Sequence, residues 1–444
     1  MASTSAYEQI DSRPLTGHQR SVIALMVMSN IAEFFDMFLI GFVVSTLTAA
    51  WHLTGFEAGA ILACSGLGTV IGSIVWGHMA DRFGRKRAHA WCIVCFVGFT
   101  VVSVFLPDRA WLLLALLRVG VGIGVGGMNI TSIPYVQEFV PARHRGLLSG
   151  LVSVFIPLGM LLGAAAQGIV GENWRALMAF GAVPALLLLW LHAVPESPRY
   201  WQSKGRGDKA REALAWAMEI PVDEVGALPP AERAAQVRYR DVIMHHGRSL
   251  LLVSVGSFCF MLGGFAVQSW GQTLLKDAFG FPARMVGVLF IGVSVADMLG
   301  RLASAWLADA IGRRVTMAVF GMIGAAGCLW AALFHGSGWA FYAAVLVIMT
   351  FGDGVFGILN AFGGEQFPND VRSTALGLGY GIGAIAKVVG PAFVGALAGG
   401  DYVSQHISLN VVSTAFGAFG ACMALGAVVY LFAKETRGRR LESL

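Results

Sequence analysis

Charged residues are scarce in this sequence. Only 13% of its 444 residues are Asp, Glu, Lys or Arg, against about 25% in an ordinary soluble domain. Hydrophobic residues make up 56% of the chain. This balance excludes an ordinary soluble globular protein and predicts an integral membrane protein whose main partner is the lipid bilayer.

The sequence also lacks the residue patterns typical of catalytic, metal-binding and cofactor-binding sites. The six cysteines are scattered, and the C-x-x-C of Cys92 and Cys95 has no second ligand pair for zinc. GIGVGG at 122–127 fits a dinucleotide-binding pattern, but it follows an apolar run instead of a strand. We therefore expect no enzyme activity, no metal and no cofactor. The polar N-terminus shows no removable signal peptide.

Apolar runs dominate the rest of the chain. Twelve of them are long enough to cross the roughly 30 Å hydrocarbon core of a bilayer. In chain order they cover residues 21–48, 56–76, 88–106, 110–133, 147–170, 175–194, 249–275, 284–308, 315–334, 338–362, 373–398 and 409–433. The sequence thus predicts an all-α integral membrane protein with twelve transmembrane helices.

Two short patterns occur twice at nearly the same offset. EFVPARHR at 138–145 matches EQFPNDVR at 365–372, and GHMADRFGRK at 77–86 matches AWLADAIGRR at 305–314. Such repetition predicts two pseudo-symmetric six-helix bundles. The expected segments are an N-terminal tail (1–20), a first bundle (21–194), a linker with short helices (195–248), a second bundle (249–433) and a C-terminal tail (434–444).

Basic residues fall mostly on one side of the predicted spans. If both termini are cytoplasmic, 24 of the 31 Lys and Arg lie in cytoplasmic segments, as the positive-inside rule expects. The basic balance then reflects loops that face anionic lipid. It gives no reason to expect nucleic-acid binding.

Several motifs, taken in order, carry a family resemblance. GHMADRFGRK at 77–86 resembles the loop signature of the major facilitator superfamily. RVGVGIGVGG at 118–127, PYVQEFVPARHRG at 134–146, PESPR at 195–199 and ETRGR at 435–439 resemble its sugar-porter branch. Relatives in that branch include metabolite/proton symporters and transporters of aromatic acids and nicotinate. The resemblance implies an alternating-access transporter in a bacterial inner membrane that works as a monomer.

Charged residues in the repeated loops are candidates for a cytoplasmic gate. They are Asp81, Arg82, Arg85, Glu138 and Arg145 in the first half and Asp309, Arg313, Glu365 and Arg372 in the second. Charge-assisted hydrogen bonds between neighbouring helix ends can favour one closed face. A solvated basic loop would explain the arginines alone, but not the repeated acid and proline.

Three charged residues within the first bundle are candidates for proton coupling. Glu33 and Asp36 lie three apart on one helical face, and Arg118 has a depth compatible with an ion pair to Asp36. The resemblance also matches Asp36 and Arg118 to the coupling pair of proton-linked sugar porters. A carboxylate is charged beside a guanidinium and neutral when separated from it in an apolar helix. A permanent salt bridge is the alternative, and Glu33 is either a second titrating site or a packing acid.

The second bundle has intramembrane charges at positions that do not match those of the first. Asp297 and Arg301 are four apart on one helical face, so we expect them to pair. Lys387 lies near the midplane, where such transporters bind substrate. Lys387 either attracts a substrate anion or pairs with Asp353.

Gln268, Trp270 and Gln272 are further candidates for substrate contact in the seventh span, where the family resemblance places substrate contacts. Trp270 could equally be an interfacial anchor. With Arg118, Asp353 and Lys387, these residues complete the candidate substrate site. We expect proton-coupled uptake of a small organic anion such as nicotinate or a benzoate, because the polar and aromatic set of sugar porters is not evident. The alternative is a proton-coupled sugar or polyol transporter.

Overall fold

The computed structural model is helical almost throughout the residues that it describes, which are 5–141, 155–229, 239–334, 336–368, 371–400, 402–403 and 408–436. Eleven helices in this part are long and apolar enough to cross a membrane. They are α1 (Gly17–Ala50), α2 (Gly55–Phe83), α3 (Arg85–Val104), α4 (Trp111–Phe139), α6 (Trp174–Ala193), α7 (Tyr239–Ala278), α8 (Ala283–Ile311), α9 (Arg313–Leu333), α10 (Gly338–Gly357), α11 (Thr374–Ala398) and α12 (Leu409–Leu431). The shorter apolar helix Ile156–Val170 is α5. The predicted all-α membrane fold is confirmed.

Local sequence signals fix where several of these helices begin. Thr16 starts α1 with a capping box, in which its hydroxyl accepts from the Gln19 amide and Gln19 Oε1 accepts from the Thr16 amide. Gly84 and Gly312 precede α3 and α9 with φ of 106° and 105°. Because side chains other than glycine rarely adopt such φ values, these two positions hold the sharp turns of the repeated loop.

Helices α1–α6 and α7–α12 form two halves. Successive helices alternate in direction, so the start of α1, the end of α12 and the described part of the segment between the halves lie on one face of the bundle. We call this the linker face, and the opposite side the distal face. Short helices Pro198–Ser203 and Gly207–Met218 cover part of the linker face.

A further helix, Ala6–Ser12, lies in the segment expected to be a tail. It packs on Gly207–Met218 through a small apolar cluster that includes Ile10 and Leu214. Beside it, His18 at the start of α1 stacks on Trp216 with ring centroids 4.3 Å apart. The first turn of α1 is therefore held by the linker segment.

The two halves contact each other closely at the distal face. At Gly59 on α2, an added Cβ would lie 2.7 Å from Gly395 Cα on α11, so only glycine allows this approach. Lys276 Nζ donates to the Ser45 carbonyl at 2.7 Å and thereby ties α7 to α1. Thr48 Oγ1 on α1 donates to Asp277 Oδ2 on α7 at 2.7 Å, also toward the distal face. The structure is thus closed at that face.

Candidate functional site

A cavity lies between the halves, about midway along the helices. Its volume is about 40 Å³. Its lining residues are Phe34 and Phe38 from α1, Ile156 from α5, Met261, Phe265 and Gln268 from α7, Arg301 from α8, Asp353 and Phe356 from α10, and Tyr380 and Lys387 from α11. The wall combines aromatic rings with two cations and one carboxylate. This is the composition expected of a small-molecule site.

Asp36 and Arg118 form an ion pair in the first half. Arg118 Nη2 lies 3.0 Å from Asp36 Oδ2, and both side chains are buried. Thr100 Oγ1 donates to Asp36 Oδ1 at 3.0 Å, and Arg118 Nε donates to Ser65 Oγ at 2.9 Å. The pair thus joins α1 to α4 and is held from α3 and α2. Its proton-coupling role stays a prediction.

Glu33 is buried one helical turn from Asp36, on the side of the linker face. Its carboxylate acts electrostatically on Lys387, as does the carboxylate of Asp353. Glu33 therefore lies between the ion pair of the first half and the cationic wall contributed by α11. This position is compatible with either role expected for it.

Three charged residues form a cluster in the second half. Arg301 Nε donates to Asp297 Oδ1 at 2.9 Å, as the i,i+4 spacing predicts. Arg301 Nη2 also donates to Asp353 Oδ2 at 2.5 Å, and Gln268 Nε2 donates to Asp353 Oδ1 at 3.2 Å. Asp353 is therefore paired with Arg301 and not with Lys387, because Arg301 lies closer.

Lys387 points toward the cavity between two aromatic rings. Its Nζ lies 5.4 Å from the ring centroid of Phe265 and 5.9 Å from that of Phe34. The rings come from opposite halves and stabilise the charged ammonium by cation–π attraction. Among the described residues, no carboxylate lies within ion-pair distance of this group. Lys387 is thus a cation whose anionic partner could be a ligand.

Trp270 and Gln272 lie outside the cavity, which corrects the expectation that they line it. Trp270 is fully buried and donates through Nε1 to the Pro391 carbonyl on α11 at 3.1 Å. Gln272 is also buried and donates to the Gln268 carbonyl on its own helix. Of the three candidates on α7, Gln268 reaches the cavity. Gln272 shares its helical face but lies one turn nearer the distal face, and Trp270 faces α11.

Charged groups at the linker face bind neighbouring helix ends of the first half. Arg85 Nε lies 2.7 Å from Glu138 Oε1 and so ties α3 to α4. Glu138 also accepts a hydrogen bond from the hydroxyl of Ser197. Glu196 caps α3 by accepting from the backbone amides of Lys86 and Arg87.

The second half repeats this arrangement almost group for group. Arg313 Nε lies 3.0 Å from Glu365 Oε2, and the Thr436 hydroxyl donates to the same oxygen at 2.5 Å. Glu435 accepts from the amides of Arg313 and Arg314 at 3.1 and 3.0 Å. Sequence reasoning missed Glu196 and Glu435 as network members, although both stand in the motifs that carried the family resemblance.

Four of the expected gating residues have other positions, and a fifth, Arg145, lies outside the described residues. The side chain of Asp81 is 80% exposed, and its Oδ1 lies 3.7 Å from Arg85 Nη1. Arg82 and Asp309 are exposed, and Arg372 caps carbonyls of Gly364 and Phe367. Their helix faces turn toward solvent or backbone, so Glu138 and Glu365 are the acids that hold the arginines.

Two helical halves with a polar cavity between them and close contacts toward one end are the arrangement of a multi-pass membrane transporter. The chain belongs to the Major Facilitator Superfamily, whose family model matches residues 26–391 and 253–443. The two overlapping matches span both halves.

Curated relatives resemble the chain over nearly its full length. The niacin transporter NiaP of Acinetobacter baylyi is 27% identical and covers 98% of each chain. The 4-hydroxybenzoate transporter PcaK of Pseudomonas putida is 26% identical over 95% of this chain and 94% of its own. The cis,cis-muconate transport protein of Acinetobacter baylyi is 26% identical over 90% and 91%.

Solved structures share the fold. A crystal structure of a D-xylose–proton symporter superposes with a TM-score of 0.74 at 19% identity and covers 95% of this chain and all of its own. The xylose transporter XylE from E. coli, in a partially occluded inward-open conformation, gives a TM-score of 0.71 at 20% identity, with 96% and 100% coverage. Identities this low support the fold alone.

Proposed function

We propose that the protein takes up a small aromatic monocarboxylate, of the nicotinate or benzoate type, together with protons. The observation that carries the proposal is the position of Lys387. A buried cation held between two phenylalanine rings offers a carboxylate its charge and offers an aromatic ring two stacking surfaces. The named substrates of the curated relatives, niacin and 4-hydroxybenzoate, have this chemistry.

The remaining polar groups of the cavity support the same substrate class. Arg301 is occupied by two carboxylates, so Lys387 is the cation left for a ligand. Gln268 and Tyr380 can exchange hydrogen bonds with a ring nitrogen or a hydroxyl. Phe356 lies under Arg301, with the guanidinium 5.4 Å from its ring centroid, and completes an aromatic wall.

Proton coupling is assigned to Asp36, Glu33 and Arg118. The ionised form of Asp36 is stabilised by Arg118 and Thr100, so a proton must displace one of these partners to bind. An apolar surrounding then favours the neutral acid. Each pH unit across the membrane contributes about 1.4 kcal/mol per proton to accumulation. In this proposal the linker face is cytoplasmic, the membrane is a bacterial inner membrane, and the protein works as a monomer open toward the cytoplasm.

A thermal-stability screen of the purified protein in detergent tests the substrate class. Nicotinate, benzoates, neutral sugars and organic cations are added separately. A ligand at a hundredfold excess over its Kd stabilises the folded state by about 2.7 kcal/mol. We expect stronger stabilisation by aromatic carboxylates than by nicotinamide, which lacks the carboxylate. Stabilisation by sugars alone would overturn the proposed substrate.

A further inference from the structure

The buried charges in the middle of the bundle do not balance. In the described part of the chain, four buried carboxylates lie there together with three buried cations: Glu33, Asp36, Asp297 and Asp353 against Arg118, Arg301 and Lys387. With every group ionised, this region carries one excess negative charge. An uncompensated charge in a low-dielectric interior is strongly unfavourable. One of the four carboxyl groups is therefore expected to hold a proton even when the site is empty.

Three of the four carboxyl groups have no buried oxygen that lacks a hydrogen-bond partner among the described residues. Asp36 accepts from Arg118 and Thr100, and Asp353 accepts from Arg301 and Gln268. Glu33 lies within electrostatic reach of Lys387. Each of these environments stabilises an ionised carboxylate.

Asp297 differs from the others in its second oxygen. Its Oδ1 accepts from Arg301 Nε, but its Oδ2 is buried and has no hydrogen-bond partner among the described residues. An ionised carboxylate prefers several donors on its two oxygens, so a buried oxygen without a donor favours the protonated acid. Asp297 also lies behind Arg301, out of the cavity, where water and substrate have poor access.

The charged groups that act on Asp297 are Arg301 on its own helix and Asp353 on α10. Further away, Gln268 on α7 donates to Asp353, and Tyr380 and Lys387 on α11 line the cavity beside Arg301 and Asp353. A single guanidinium is thus shared by two carboxyl groups. When one proton is held between two such acids, like-charge repulsion is relieved and the ion pair with the other is kept.

We propose that Asp297 carries a proton throughout the transport cycle and so makes the core of the empty carrier neutral. This part of the inference does not depend on the substrate. Its consequence for transport rests on the proposed function: a monocarboxylate adds one negative charge, and one further proton on the Glu33 and Asp36 pair offsets it. The empty and the loaded carrier are then both neutral when they reorient, and uptake of one anion with one proton moves no net charge.

Infrared difference spectroscopy tests the resident proton without any substrate. Wild type minus Asp297→Asn, both purified in detergent at neutral pH, should show the carbonyl band of a protonated carboxyl group that the variant lacks. Asp223→Asn, in the exposed part of the linker segment, is the matched control and should remove only an ionised carboxylate band. Loss of an ionised band in Asp297→Asn would overturn the proposal. If this variant fails to fold, Asp297→Glu should keep the protonated band at a shifted frequency.

Uptake of radiolabelled nicotinate into liposomes tests the charge balance. With a fixed pH gradient, a potassium diffusion potential of either sign should change the rate less than twofold, both in wild type and in Asp297→Asn. A potential dependence that differs between the two proteins would show that Asp297 is ionised and would overturn the inference. No nicotinate uptake under any condition would contradict the proposed function instead, and the infrared result would still decide the resident proton.

Discussion

At the scale of single residues, Asp36 is the group around which four helices meet. It lies on α1, its partners Thr100 and Arg118 come from α3 and α4, and Ser65 on α2 holds the guanidinium in place. All four helices belong to one half, so reorientation of the halves alone does not separate the pair. Proton binding must therefore compete with Arg118 directly. In the proposed function, the charge on Asp36 is therefore the variable that couples to transport.

Replacing Asp36 with asparagine should abolish proton-driven accumulation but keep exchange of substrate across the membrane. The amide still accepts a hydrogen bond from Arg118, but it cannot take up or release a proton. The measurement is uptake and counterflow of a substrate in liposomes, with and without a pH gradient. Accumulation that still follows the pH gradient in Asp36→Asn would contradict the assigned role.

Replacing Lys387 with glutamine should weaken binding of carboxylates by about 10- to 100-fold, because a hydrogen bond to a charged group contributes roughly 1.5–3 kcal/mol. Nicotinamide, which has the same ring without the charge, should lose much less. Titration calorimetry with nicotinate and nicotinamide measures both effects. An equal loss for the two ligands would mean that Lys387 acts only through packing.

The aromatic rings beside Lys387 should select for aromatic over aliphatic carboxylates. Phe265→Leu keeps an apolar side chain but removes the ring, so benzoate binding should weaken by about 3- to 10-fold, given roughly 0.5–1.5 kcal/mol for an aromatic contact. Binding of an aliphatic monocarboxylate such as cyclohexanecarboxylate should change little. Competition assays with both acids compare the variant with wild type. A larger loss for the aliphatic acid would contradict the stacking role.

Sequence reasoning could find residue pairs that lie close along the chain or match a known motif. Asp297 and Arg301 share a helical face by their spacing alone, and Asp36 and Arg118 were expected to pair from depth and resemblance. The contact between Arg301 and Asp353 spans 52 residues and depends on how α8 and α10 pack. Spacing holds no information about that packing, which is also why Trp270 was expected in the cavity.

At the scale of helices, the contact between α2 and α11 determines whether the distal face is closed. Cβ atoms added at Gly55, Gly59 and Gly66 would fall within 2.3 to 2.7 Å of atoms of α11. Side chains at these positions would keep the helices apart. The close approach is therefore a property of three glycines spread over the distal part of α2.

Substitution of Gly59 by leucine should open the distal face, because the added side chain cannot fit beside Gly395. Gly98→Leu on α3 is the matched control, since no atom lies within 4 Å of a Cβ built there. Thiol labelling of a cysteine introduced in place of Ser45, which is buried on α1 beside Lys276 of the other half, reports exposure from the distal side. Labelling should rise several-fold in Gly59→Leu only. Equal labelling in both variants would contradict the claim that glycine contacts close the distal face.

The acids at the linker face should stabilise each half to a similar extent. Glu435→Gln weakens two charge-assisted hydrogen bonds to backbone amides and should cost about 1–3 kcal/mol. Glu196→Gln should have a comparable effect, because it caps α3 as Glu435 caps α9. Melting temperatures of the two variants are compared with that of Glu212→Gln, which alters an exposed acid. A decrease in one half only would contradict the equivalence of the two networks.

Helix positions were more predictable than helix packing. Hydropathy placed the spans because each must be long and apolar, and the repeated motifs indicated two related halves. Hydropathy carries no information about helix caps. It therefore did not predict that α1 begins at Gly17 instead of residue 21. It also missed the π-helical turns at Leu274–Ala278 and Ile348–Asp353, because such turns depend on local hydrogen bonding.

At the scale of the whole molecule, similar halves carry different chemistry. Gly264 stands where the repeat would place a counterpart of Asp36, and a Cβ at Gly264 would lie 2.2 Å from Asp353 Oδ1. The carboxylate of the second half thus fills the corresponding space from another helix. The first half holds the ion pair assigned to the proton, and the second half contributes most of the cavity wall. A ligand between them contacts both halves and can couple the two.

The most direct test of this account is uptake of radiolabelled nicotinate or benzoate by the purified protein in liposomes, driven only by a pH gradient that is acid on the side of entry. Either carboxylate should accumulate above its external concentration, and this accumulation should collapse when a proton ionophore is added and be absent from Asp36→Asn. Xylose should not accumulate under the same gradient. Accumulation of xylose but of neither carboxylate, or uptake that is indifferent to the pH gradient, would contradict the central claim.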